Sequence, residues 1–135
     1  MNFFTNTIVN VIHLIKDIGE PNIKLHIDTY HMNIRKKDFY QTVVEAGEII
    51  GHVHCSENDR GIPGTGYVDW DGLFKALIEV NYSGWLVIEP FFEPIPDIAA
   101  LTPIWRKLAP DIDTFARDGI NFLKNKLTKI KSLYK

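Results

Sequence analysis

The sequence contains little cysteine and almost no excess of charge of either sign, and each shortage excludes a class of protein. Its single cysteine, Cys55, cannot form an internal disulfide and fits a reducing compartment. Fifteen basic residues against 17 acidic ones leave a net charge of -2, which creates no long-range field for nucleic acid or an anionic membrane. Small-molecule chemistry in the cytoplasm is therefore the expectation.

Long hydrophobic runs are also missing. No stretch approaches the roughly 18 to 20 uninterrupted apolar residues that a membrane helix needs. The first 19 residues lack the basic start of an export signal, and polar residues interrupt their apolar ones. Because 45% of the residues are hydrophobic, the chain has material for a globular core, and a single domain over residues 1–135 is expected.

Helical and β-prone segments alternate along the chain. Apolar spacing predicts helices over 6–18, 38–46 and 70–80, a short one over 98–108, and a long one from about Ile112. Short apolar runs predict strands over 23–28, 51–55 and 85–89. The expected core face of the last helix is Ile112, Phe115, Ile120, Leu123, Leu127 and Ile130. Strands separated by helices are typical of right-handed βαβ units, so the fold class is α/β with a parallel sheet.

Each predicted strand ends in a residue type that binds metals. Asp28 closes KLHID, His54 lies near the end of GHVHC, and Glu89 closes WLVIE. Because the carboxyl ends of parallel strands meet at one edge of the sheet, these side chains can converge. A mixed oxygen and nitrogen set suits Mn²⁺, Co²⁺, Mg²⁺ or Zn²⁺. Such a cation stabilises the negative charge that develops when a sugar loses a proton beside its carbonyl.

Taken singly, these residues have more ordinary explanations. Asp28 can cap a turn, His54 can be a hydrogen-bonded structural histidine, and Glu89 can be a surface group. Their combination at three strand ends favours the metal site. His26 and His52 share strand faces with Asp28 and His54, one layer deeper, where they either support the ligands or simply pack.

The segment after the second strand, residues 56–67 (SENDRGIPGTGY), is predicted to be a substrate-contacting loop. Its glycines do not form a phosphate-binding fingerprint, so Gly64 and Gly66 are predicted to serve turns. Cys55 is predicted to point away from the site.

Three segments carry a resemblance to a known family: 27–34 (IDTYHMNI), 51–72 (GHVHCSENDRGIPGTGYVDWDG) and 82–91 (YSGWLVIEPF). They resemble the D-tagatose 3-epimerase and D-psicose (allulose) 3-epimerase family, within the xylose isomerase-like sugar isomerases and epimerases. The resemblance covers nearly the whole chain. It implies a partial TIM (β/α)8 barrel, with about the last three β/α units and a long C-terminal helix.

The resemblance also implies site residues and an activity. Asp28, His54 and Glu89 match three of the family's four metal ligands, with Mn²⁺ preferred and Co²⁺ or Mg²⁺ as alternatives. Glu89 also matches an acid/base, while His31 and Arg60 match substrate-contacting residues. The implied reaction is C3 epimerisation of a ketohexose through an enediolate, in which two glutamates act on opposite faces of the sugar.

The family's second glutamate lies on a preceding strand, and the alignment runs out near Met1. A truncated or split enzyme is therefore expected, either self-associating or paired with a companion N-terminal barrel chain. Two alternatives stay open. One is an aldose–ketose or inosose isomerase with the same metal chemistry, and the other is a non-catalytic metal- or sugar-binding module.

Overall fold

A computed structural model of the chain describes residues 7–35, 38–91, 93 and 104–134. A short 3-10 turn, Gly47–Ile49, leads into the second strand. In chain order the helices and strands are α1 (Ile8–Ile18), β1 (Leu25–Asp28), α2 (Thr29–Arg35), α3 (Phe39–Ala46), β2 (Ile50–His54), α4 (Trp70–Glu79), β3 (Leu86–Val87) and α5 (Ile112–Leu133).

The three strands form one parallel sheet in the order β1-β2-β3. Asp28 of β1 pairs with His54 of β2, and His54 in turn pairs with Val87 of β3. Since helices connect the parallel strands, the predicted α/β architecture is confirmed. The strand ends that carry the predicted ligands consequently lie at one edge of the sheet.

The two faces of the sheet differ in chemistry. One face contributes Leu25, Ile27, Ile50 and Val53, all buried, to a core shared with α1, α3 and α4. The opposite face carries only half-buried or exposed side chains in β1 and β2, His26 and Asp28 from the first strand and His52 and His54 from the second. Burial therefore fixes the register of the apolar face, and the polar face is left free to form a site.

Side-chain caps explain where the helices begin. Thr7 caps α1, Asp38 caps α3, Asp69 caps α4 and Asp111 caps α5, and each side-chain oxygen accepts from a backbone N–H three residues on. Gly19, with a φ of 72°, ends α1 in the left-handed conformation that glycine adopts without a steric cost.

Some sequence predictions are wrong in detail. β3 has two residues instead of five, so Glu89 lies beyond the strand and does not close it. The predicted helix over 98–108 is not helical at 104–108, and its other residues lie outside the described ranges. Residues 105–107 are exposed, so this part of the segment has little buried surface to offset the cost of helix nucleation, and Pro110 disfavours extension of a helix beyond it.

The buried face of α5 is also narrower than predicted. Phe115, Leu123 and Ile130 are buried, whereas Ile112 and Ile120 are each 43% exposed. These two isoleucines line an apolar groove of about 420 Å³ between α5 and β3. Helical spacing identifies an apolar face, but the part of it that is covered depends on what packs there.

Among the described residues, no helix has the length and apolar character to span a bilayer. The cytoplasmic location stays a prediction.

Candidate functional site

Asp28, His54 and Glu89 converge at the carboxyl edge of the sheet. Each offers one ligand atom, these atoms all lie within 4.8 Å of one another, and all three residues are half-buried. Nδ1 of His54 lies 3.8 Å from Oε2 of Glu89. Metal–ligand bonds of about 2.0–2.2 Å need ligand atoms roughly 3 Å apart, which small side-chain rotations can reach here. The donor set fits a divalent cation, and the ligand roles stay predictions.

Hydrogen bonds fix the ends of β1 and β2 relative to each other. Oδ1 of Asp28 accepts from the backbone N of Tyr30 at 2.8 Å, which starts α2 directly at the strand end. The hydroxyl of Thr29 is fully buried, donates to the carbonyl oxygen of Ser56 at 2.5 Å and accepts from the Ser56 N–H at 2.8 Å. The hydrogen bonds of the Asp28 carboxylate and the Thr29 hydroxyl to backbone groups therefore hold the strand ends that carry Asp28 and His54.

The helix α2 was not predicted from the sequence. Its seven residues, TYHMNIR, contain no apolar stripe at helical spacing, and only Met32 and Thr29 of those with described side chains are buried. The usable signal was the Asp28 carboxylate, because an aspartate just before a short segment can accept from its first N–H groups and start a helical turn.

Arg60 reaches the same group of side chains from the loop after β2. Its Nη1 lies 2.6 Å from Oε2 of Glu89, and its side chain is only 10% exposed. The guanidinium lies over the rings of Tyr30 and Phe91, at 4.1 and 4.5 Å from their centroids. This packing holds a permanent positive charge beside Glu89.

Glu57 anchors the loop that carries Arg60, a structural role that sequence analysis did not identify. Its side chain is fully buried, and Oε2 accepts from Gly64 N at 2.8 Å and from Nε1 of Trp70 at 3.0 Å. Oε1 accepts from Val68 N at 2.9 Å and from Asn58 N at 3.2 Å. The loop that carries Arg60 is thus wrapped around one carboxylate. A glutamate at the start of a glycine-rich loop was the signal for this role.

Gly64 confirms the predicted turn role. It has a φ of +93°, which side chains rarely adopt, and a Cβ there would overlap the ring of Phe122. Its N–H donates to Glu57, so the glycine both turns the loop and contributes to its anchor. Phosphate binding is not needed to explain it.

His31 and Cys55 lie outside the group formed by Asp28, His54 and Glu89. His31 is exposed on α2, and its ring packs against that of Tyr30 with centroids 5.2 Å apart. It thus contacts the ring that supports Arg60, and its substrate role stays a prediction. Cys55 is buried in the core, as expected for a side chain pointing away from the site, and burial raises the pKa of its thiol to about 12.

A layer of imidazoles lies beneath the site. The ring of His26 lies 4.2 Å from that of His54 and 5.1 Å from that of His52, measured between centroids. Desolvation lowers the pKa of His26, and the neighbouring His54 and His52 lower it further.

The sequence model described as a xylose isomerase-like TIM barrel matches residues 1–126. The chain belongs to this family. Its three parallel strands and long final helix are part of the xylose isomerase-like barrel, in agreement with the partial-barrel prediction.

Individual relatives in the family confirm the predicted resemblance to ketose 3-epimerases. The chain is 36% identical to the ketose 3-epimerase of Arthrobacter globiformis over 130 residues, which cover 95% of this chain and 45% of that protein. The structure of an L-ribulose 3-epimerase superposes with a TM-score of 0.91 at 33% identity, covering 98% of this chain and 46% of the other. The structure of the D-allulose 3-epimerase of Methylomonas sp. in complex with D-allulose superposes with a TM-score of 0.85 at 35% identity, covering 93% of this chain and 44% of the other.

The chain therefore spans less than half the length of these relatives. The match includes Asp28, His54 and Glu89, since it extends over 95% of the chain. The activity of a whole family member does not follow from that coverage.

Proposed function

We propose that this chain forms the metal-binding and sugar-binding part of a ketose 3-epimerase, acting on a ketohexose through an enediolate. The observation that carries the proposal is the convergence of Asp28, His54, Glu89 and Arg60 at the carboxyl edge of the sheet. The identity to a ketose 3-epimerase over nearly the whole chain supports it.

Asp28, His54 and Glu89 would hold the divalent cation. Two carboxylates with one imidazole favour Mn²⁺, with Co²⁺ or Mg²⁺ as alternatives, over thiolate-seeking metals. When bound, such a cation acts as a Lewis acid on the carbonyl and hydroxyl oxygens of the sugar.

The proposed role of Glu89 is to exchange the C3 proton on one face of the sugar, taking it from one epimer and supplying it in the reverse direction, while a second carboxylate acts on the opposite face. One of its oxygens, Oε2, accepts from Arg60, and a carboxylate has a second oxygen that can accept a proton. The proposed role of Arg60 is to bind sugar oxygens beside the reacting carbon, where its fixed charge stabilises the charge that develops. His31, on the adjacent helix, is proposed to contact the sugar.

Inversion at C3 needs a carboxylate on each face of the sugar. Among the described residues, Glu89 is the only glutamate in the converging group. We therefore propose that the second carboxylate comes from protein outside residues 1–135, either a further segment or a companion barrel chain. The apolar groove beside β3, with the 78% exposed Trp85 near its strand, supports association at that edge.

Metal binding is tested first, by titrating the purified chain with Mn²⁺ and measuring the heat of binding. Asp28→Asn and Glu89→Gln are expected to weaken binding at least tenfold, because each removes a charged ligand. Asp17→Asn, at an exposed position on α1, is the matched control and should bind like the unmodified chain. Equal affinities in all four proteins would contradict the proposal.

Turnover is tested separately, with D-fructose, D-tagatose and D-allulose in the presence of Mn²⁺ and chromatographic separation of the products. The expected product is the C3 epimer, formed by the chain alone or after addition of an N-terminal half of a ketose 3-epimerase. An aldose product would instead identify an aldose–ketose isomerase. Metal binding without any product in either mixture would identify a non-catalytic binding module. This module is the second candidate because the chain covers only part of its relatives.

A further inference from the structure

We propose that His26, His52 and His54 form a second cation site, selective for Zn²⁺, Ni²⁺ or Cu²⁺. Each of the three imidazoles offers a ring nitrogen, and these nitrogens all lie within 4.8 Å of one another. This site shares only His54 with the group of Asp28, His54 and Glu89. It requires no epimerase activity of the chain.

The backbone brings the three histidines onto one face of the sheet. Leu25 pairs with Ile50, but His26 pairs with His52, so Gly51 is an extra residue in β2. Without this bulge His52 would pair with Ile27, whose side chain is buried in the core. The bulge therefore turns His52 toward the polar face, directly beside His26.

Glycine is the residue that permits this bulge. A Cβ on Gly51 would lie 2.5 Å from Cβ of Lys24, closer than two such carbons approach. His54 follows His52 by two residues and so projects from the same face. The three rings form a compact triangle with centroid separations of 4.2, 5.1 and 5.2 Å.

The chemistry of this triangle differs from that of the carboxylate site. Three neutral imidazoles with an open fourth position form a ligand set that suits zinc, nickel and copper. Zinc–nitrogen bonds of about 2.0–2.1 Å place ring nitrogens roughly 3.4 Å apart, a contraction that side-chain rotation can supply. His26 is exposed and the other two are half-buried, so a cation can reach them.

The shared histidine makes the two sites competitive. A cation held by His26, His52 and His54 removes the one nitrogen ligand from the Asp28 and Glu89 carboxylates. Imidazole affinity rises from Mn²⁺ to Zn²⁺ and Cu²⁺ along the first transition series. Zn²⁺ is thus expected to displace Mn²⁺ by drawing His54 toward the deeper layer.

The test uses zinc ions alone and a chain that lacks the carboxylate ligands. In an Asp28→Asn, Glu89→Gln background, Zn²⁺ is expected to bind one to one, measured by calorimetry and by competition with a chromophoric chelator. Adding His26→Ala should weaken binding at least tenfold, whereas adding His13→Ala, at an exposed position on α1, should change it less than twofold. Equal zinc affinity in these two triple variants overturns the proposal.

A second measurement covers the case in which the background variant does not fold, as judged by circular dichroism. In the otherwise unmodified chain, the Mn²⁺ paramagnetic resonance signal reports the free ion as Zn²⁺ is added. His26→Ala should raise the zinc concentration needed for displacement about tenfold relative to His13→Ala. Displacement at the same concentration in both variants overturns the proposal. If Mn²⁺ does not bind, the carboxylate site is refuted, and equal zinc affinity of the His26→Ala and His13→Ala chains in the chelator competition overturns the histidine site.

Discussion

Replacing Glu57 with glutamine should destabilise the protein strongly, although the two side chains have nearly the same shape. In the native loop the carboxylate accepts from three backbone N–H groups and from the indole of Trp70. Glutamine keeps one acceptor oxygen and presents an NH₂ group in place of the other. Two of the four donors then face another donor inside the loop.

The magnitude follows from those contacts. A hydrogen bond to a charged group contributes about 1.5–3 kcal/mol, so losing two costs roughly 3–6 kcal/mol. The neutral amide also escapes the desolvation penalty of a buried carboxylate, which moves the net cost to the lower end. About 3 kcal/mol is a factor of roughly 150 in the unfolding equilibrium and, for a chain of this size, about 10 °C in Tm.

The assay is thermal and urea unfolding followed by far-UV circular dichroism, since fluorescence would respond to Trp70 itself. Glu20→Gln, at an exposed position after α1, removes the same charge and is the matched control, expected to change stability by less than about 0.5 kcal/mol. If Glu57→Gln unfolds within that margin of the control, the carboxylate does not anchor the loop and the reasoning is refuted.

Substitutions at two further positions and one labelling reaction test the surroundings of the site. Thr29→Val should cost about 1–3 kcal/mol in urea unfolding because it leaves the buried backbone groups of Ser56 unpaired, whereas Thr29→Ser keeps the hydroxyl and should cost less. Gly64→Ala should lower stability by at least about 2 kcal/mol through the overlap with Phe122 and its positive φ, and a soluble variant of unchanged Tm would contradict this. With a pKa of about 12, Cys55 should react with a thiol reagent at pH 8 only as fast as the protein opens, and fully in denaturant; rapid labelling of the native chain would show that the thiol is not buried.

The sequence predicts the parts of this fold that depend on local periodicity. The apolar spacing of α1 and α4 locates these helices, and α3 lies within the predicted helix over 38–46, whose first residue, Asp38, is its cap. The convergence of Asp28 and His54 also follows from the sequence, since parallel strands bring their carboxyl ends to one edge.

What the sequence does not predict depends on partners distant in the chain. Period two predicts that His52 shares a face with His54, but the bulge at Gly51 that places His52 directly beside His26 depends on the pairing of β2 with β1, so neither strand alone reveals it. The role of Glu57 depends on donors up to 13 residues away, which meet it only after the loop closes. Ile112 and Ile120 belong to the apolar stripe of α5, and the spacing of the stripe does not show which of its residues another element buries.

The loop after β2 connects stability with the proposed chemistry through two oppositely charged residues. The backbone N of Arg60 donates to the carbonyl oxygen of Glu57 at 2.9 Å, and this turn holds Arg60 at a φ of 62°. That conformation is unfavourable for a residue other than glycine, so the surrounding contacts must maintain it. The buried Glu57 carboxylate anchors the loop on both sides of Arg60, through the backbone N–H groups of Asn58 and Gly64, and the guanidinium donates to Glu89. A change at Glu57 should therefore reach the proposed metal site through the position of Arg60, without altering Asp28, His54 or Glu89.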